Sequence, residues 1–172
     1  MSKMPPSDDD ADWLAQISKP FPDNVNGDIV VMFRAWALME AALTMWLIAL
    51  MGVDDDVGRL VVDRFDTRTK ISRIREIYDH FQNDDMTKTV KEVSYNYEKW
   101  VETRNIVAHK VCFGMSEDGT HLMFATGKYT RRKRDEFTMV GIALPDLRRC
   151  AQFAIGMAGD IQRGLPAIKV PG

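Results

Sequence analysis

The 172-residue chain is poor in the residues that hold metals and build disulfides: it has two cysteines, Cys112 and Cys150, and three histidines, His80, His109 and His121. The thiols form no C-x-x-C pair and the histidines are scattered, so no zinc constellation is readable. Two cysteines cannot make the framework of a disulfide-built scaffold; each is read as a small buried hydrophobe. A Gly-rich phosphate loop, a Walker sequence and a nucleophile elbow are all missing, so the common nucleotidase and hydrolase classes have no support. The first ten residues have no apolar core and are not read as a signal peptide, which makes a reducing cytoplasm the expected compartment. An excess of charge is missing too. The formal net charge is −2, so nucleic-acid binding would need a local patch. Apolar material is not lacking. At 45% hydrophobic residues, the chain has enough for one domain with a real core.

The reading divides the chain into an N-terminal arm, 1–22, and one helical domain, 23–172. In the arm, Trp13, Leu14 and Ile17 make the apolar side of a short helix ended by Pro20 and Pro22. Asp23 to Asp28 offers caps for a long first helix. From Ala35 to Val53 the only charge is Glu40. That run approaches the ~20 residues a membrane crossing needs. Glu40 interrupts it, however, and a helix apolar all round is equally expected inside a bundle or a dimer seam. No membrane role is therefore expected. The concentration of Trp36, Met39, Trp46 and Met51 favours a homodimer.

Gly52 and Asp54-Asp55-Asp56 mark a turn and a new start, with a short helix over Val57–Phe65. Asp66 caps the next helix, where Ile71, Ile74, Ile77, Tyr78 and Phe81 recur at helical spacing. Arg68, Lys70, Arg73 and Arg75 read as its solvated side, and His80 as a capping or surface residue. Asn83-Asp84-Asp85 opens a third long helix that runs to His109. The pattern then changes to period two. Short strands are expected at Val111–Phe113, His121–Phe124 and Glu136–Val140, with a turn at Glu117-Asp118-Gly119-Thr120. Pro145 opens the last helix. The fold class is thus mainly α, a helical bundle with a small antiparallel β-hairpin or meander at about 111–142, before the last helix.

The chemistry gathers at the end of the third long helix, in Arg104-Asn105-Ile106-Val107-Ala108-His109. Residues four apart share a helix face, so Asn105 and His109 point the same way and Arg104 lies one step round. A guanidinium matches phosphate oxygens with a planar fork of donors, and an imidazole exchanges protons near neutral pH. A structural role is the competing reading, since a His near a helix C-terminus also caps carbonyls and suits the macrodipole. Glu40 has two compatible readings, as a buried partner for Arg104 or as a supporting acid lining a cleft. The only concentrated basic segment is Lys128-Tyr129-Thr130-Arg131-Arg132-Lys133-Arg134. Lys128, Arg131, Arg132, Lys133 and Arg134 could track a nucleic-acid backbone while Tyr129 stacks on a base. The alternative is a hairpin edge kept soluble by charge.

Arg104-Asn105-x-x-x-His109 resembles the R-N-x-x-x-H signature of the HEPN superfamily, and the resemblance extends from about Asp28 to Gln162. It includes a long apolar first helix with one acid (Glu40), a second helix with Phe65 and Lys70, and the motif ending a third. Lys110 stands where many relatives have Gly. The resemblance implies a metal-independent endoribonuclease without cofactor, acting as a toxin or defence effector and leaving a 2′,3′-cyclic phosphate. His109 would serve as base or acid and Arg104 would stabilise the phosphate, while Asn105 would fix the imidazole or donate to an oxygen. Two protomers would complete one cleft, and an antitoxin or other regulatory protein is an expected partner. The alternative function is a non-catalytic dimerisation, nucleotide-binding or RNA-binding module in which the motif is structural.

Overall fold

The nearly uncharged run around Glu40 becomes the centre of the architecture. In the computed structural model, which describes residues 21–126 and 138–164, it belongs to helix α1 (Asp23–Met51). Then come α2 (Asp55–Val62), α3 (Thr67–His80), α4 (Asp84–His109), β1 (Val111–Met115), β2 (His121–Thr126), β3 (Thr138–Ala143) and α5 (Leu144–Gly164). The molecule is therefore mainly helical, with a small three-stranded antiparallel sheet of order β1-β2-β3 before the last helix. Residues 1–20 of the arm and the basic run Lys128–Arg134 lie outside the described residues.

The helix boundaries follow local chemistry. Gly52 closes α1 in the left-handed region, at φ 64°, and returns its N–H to the Ala49 carbonyl. Asp54, Asp66 and Asn83 each cap the next helix by accepting a backbone N–H, from Asp56, Thr69 and Met86. The expected caps of α1 do not act. Pro22 is the N-cap residue, without a side-chain cap, and Asp23 to Asp28 lie inside the helix. Phe65 is not helical either; it sits in the bend between α2 and α3.

One apolar cluster links the helices to the sheet. α1 supplies Met32, Trp36, Met39, Leu43 and Leu47, α3 Ile74, α4 Val90, the sheet Leu122 and Phe124, and α5 Leu147. Trp36 stacks at tilted angles on Tyr97 and Phe153, with centroids 5.7 and 6.3 Å away. Trp36, Met39 and Trp46 are thus buried within one chain, and the homodimer argument built on them is corrected. Only Met51 of that set is exposed. α1 has the length and apolarity to cross a membrane, and 44% of its most apolar window is buried inside the molecule. It is the helix on which α3 and α5 pack.

Lys70 is a second correction. It is not on a solvated face but 8% exposed, with Nζ donating to Thr44 Oγ1 at 2.8 Å. Its spacing explains this: Thr67, Lys70, Ile71, Ile74 and Tyr78 are the buried residues of α3, and Lys70 lies three residues after Thr67 and four before Ile74 on that face.

Candidate functional site

α4 carries the motif on its last two turns. The register is fixed one turn earlier, where α4 meets α5. There the Trp36 indole N–H donates to Cys150 Sγ at 3.1 Å, and the Cys150 thiol donates to the Trp100 carbonyl at 3.7 Å. Burial pushes the Cys150 thiol up to about 11, against the opposing effects of the Trp36 hydrogen bond and the Arg104 charge. The thiol is therefore a neutral part of the packing. Cys150, read from sequence only as a buried hydrophobe, tethers the motif helix; its signal was its place on the apolar face of α5.

Arg104 is half-buried, whereas Asn105 and His109 are exposed. Arg104 Nη1 donates to Asn105 Oδ1 at 3.1 Å. Its Nε is buried without a hydrogen-bond partner. The pair keeps one edge of the guanidinium at the surface, where Asn105 and His109 share a face. Neither Asn105 nor His109 bonds to another element among the described residues. Ile106 beneath them is buried and fixes the rotation of the helix end.

The departure at Lys110 has no structural cost. Its backbone is extended, with φ −104° and ψ 154°, and its N–H bonds to the Ile106 carbonyl. No left-handed residue is needed, because the chain runs straight into β1. β1 begins with Val111 opposite Ala125, and Thr126 pairs with Thr138. The end of β2, where residues 127–137 begin, therefore lies beside the start of β1, two residues after His109, and the start of β3 lies one strand further away.

Glu40 is not joined to Arg104. Its Oε1 accepts from Thr67 Oγ1 at 3.2 Å, and its backbone carbonyl accepts from Thr44 Oγ1 at 3.0 Å. The expected Glu40–Arg104 pair is thus replaced by a polar seam between α1 and α3 that also holds Lys70. Burial pushes the neighbouring Tyr97 hydroxyl up, and the Thr67 hydrogen bond opposes that rise.

Among the described residues, no group of three or more His, Cys, Asp or Glu side chains could hold a metal. What the site offers is a cation, an amide and an imidazole on one exposed helix end. That set can bind an anion and transfer protons. Compared with known proteins, the chain matches no family model, no curated protein and no solved structure.

Proposed function

We propose that this chain is a HEPN-like, metal-independent endoribonuclease with a composite site at a homodimer interface. The observation that carries the reading is the Arg104–Asn105 hydrogen bond beside an exposed His109, one turn further on the same face. A clasp between helices would have bonded these side chains to a neighbouring element. Here the polar tether between α4 and α5 is Cys150 instead, which leaves the motif available to a ligand.

RNA carries its own nucleophile, the ribose 2′-OH. Cleavage requires a base for that proton, an acid for the 5′-oxygen and positive charge at the phosphate. His109 takes the proton-transfer role and Arg104 holds the phosphate. Asn105 aligns Arg104, and a second protomer supplies the second imidazole. Attack of the 2′-oxygen on phosphorus expels the 5′-oxygen and leaves a 2′,3′-cyclic phosphate. Glu40 supports the scaffold through Thr67. Residues Lys128, Tyr129, Arg131, Arg132, Lys133 and Arg134 belong to the link that starts from the end of β2, beside the start of β1 that follows the motif, so they are the proposed RNA-tracking segment. A toxin or defence role, with an antitoxin or other regulatory protein as partner, follows from the resemblance alone.

The test is cleavage of structured and single-stranded RNAs in EDTA by wild type and His109→Ala, after sizing both by light scattering. Wild-type cleavage in EDTA should vanish in the variant while its size and melting temperature stay unchanged, since His109 is exposed. Intact RNA after incubation with wild-type dimer would move the reading to a non-catalytic binding module.

A further inference from the structure

A cleft far along α4 from the motif has no part in the proposed cleavage. α4 and α5 meet at Trp100 and Cys150. From there Asn96, Thr89 and Met86 of α4 and Gln152, Gly156 and Asp160 of α5 border a cavity of about 910 Å³. Four aromatic side chains line it: Trp46, Tyr78, Phe81 and Phe153. This volume is at the upper end of the roughly 300–1,000 Å³ of small-molecule sites. Gly156 leaves room at the wall, since a Cβ there would meet no atom within 4 Å.

The polar groups select the ligand. Among the described lining residues there are two carboxylates, Glu92 and Asp160, and no Lys, Arg or His. Asp160 is paired with Arg163 at 2.5 Å. Glu92 has no ion pair with a described residue. Tyr78, 8% exposed, accepts from the Trp46 indole N–H at 3.1 Å, and its hydroxyl donates to no other group among the described residues. Aromatic faces attract cations through their quadrupoles, and a desolvated cation gains more than an exposed one. Glu92 is exposed at the edge of the cavity, where its charge attracts a cation lying over the aromatic rings and repels an anion.

We propose that this cleft binds a planar aromatic organic cation carrying an ether or carbonyl oxygen. The ring system lies among Trp46, Tyr78, Phe81 and Phe153, the positive charge faces Glu92, and the oxygen takes the Tyr78 hydrogen. The inference is independent of the ribonuclease reading, because binding is measured without RNA.

The probe is berberine, a planar aromatic cation with ether oxygens, titrated against the full chain by its own fluorescence and by tryptophan quenching. The comparison is the anion 8-anilinonaphthalene-1-sulfonate. Berberine should saturate at one per chain and bind at least tenfold more tightly than the anion. Glu92→Gln should weaken berberine about fivefold without weakening the anion. Gly156→Trp should abolish berberine binding with the circular dichroism unchanged; Gly156→Leu serves the same purpose if the larger side chain prevents folding. The proposal is overturned if the anion binds as tightly as berberine, if neither binds, or if folded blocking variants retain wild-type affinity, which would place the dye on the outer acidic surface.

Discussion

Lys70 shows what a single residue contributes here. Its amine is buried on the Thr44 hydroxyl, and Thr44 in turn donates to the Glu40 carbonyl. Removing one partner of a buried hydrogen bond is costly when it orphans the other, but Thr44 keeps its bond to the Glu40 carbonyl without the amine, so the packed stem accounts for most of the contribution of Lys70. Lys70→Ala deletes that stem and should cost about 2–3 kcal/mol. Lys70→Met keeps the stem and should stay within about 1 kcal/mol of wild type. Urea denaturation at constant m-value measures both; equal losses in the two variants would show that the amine, not the stem, holds the seam. The burial was readable in part. Lys70 lies four residues before Ile74 on the inward stripe, and the reading missed it by treating every cation of α3 as solvated. The motif differs: the shared face of Asn105 and His109 followed from spacing alone, but the Arg104–Asn105 bond depends on rotamers that no spacing rule specifies.

At the level of elements, caps and turns were the most readable, because their chemistry is local. Asp54, Asp66 and Asn83 cap as their residue types suggest, and Gly119 takes the left-handed φ of 69° that the turn requires. Phe65 and the start of α1 were misplaced, because competing local signals do not say which of several adjacent residues ends or begins a helix. The β1–β2 turn also fixes a pH dependence. The Asp118 carboxylate accepts from the Ser116 hydroxyl, the Thr120 amide and the Thr120 hydroxyl. Those bonds, with Ser116 the largest cause, hold its pKa down to about 2. A carboxyl whose folded pKa is depressed stabilises the fold above its unfolded value, about 3.9, and that contribution disappears as pH falls through the folded value. The turn should therefore loosen between about pH 4 and pH 2. A carbon-detected NMR titration of the Asp118 carboxyl should show a midpoint near 2; a midpoint near 4 would mean that the three hydrogen bonds do not persist in solution. Asp118→Ala should remove the dependence and broaden the resonances of β1 and β2.

The whole molecule poses the question of assembly, because one chain offers one motif histidine and the proposed chemistry uses two. The tryptophans of α1 are inside and offer no dimer seam. A different surface replaces it. Val31, Leu38 and Met45 are exposed at seven-residue intervals along α1, so they form one nearly straight stripe. Val57, Leu60 and Val61 of the following helix are exposed as well. Sequence alone could not separate the inward from the outward side of a helix that is apolar all round; the packing of α3 and α5 makes the distinction. Stripes of this kind suit a symmetric contact in which the same patch meets itself. Wild type should therefore sediment as a dimer, and Leu38→Glu with Met45→Glu should shift it to monomer. Both positions are solvent-facing, so secondary structure should persist in the double variant. If the composite site exists, the monomer loses RNA cleavage although Arg104, Asn105 and His109 are intact, and mixing it with His109→Ala protein restores nothing. A double variant that remains dimeric moves the interface elsewhere. A monomer that cleaves at the wild-type rate shows that one His109 suffices, and the second imidazole must then be dropped from the mechanism while the phosphate-binding role of Arg104 stands.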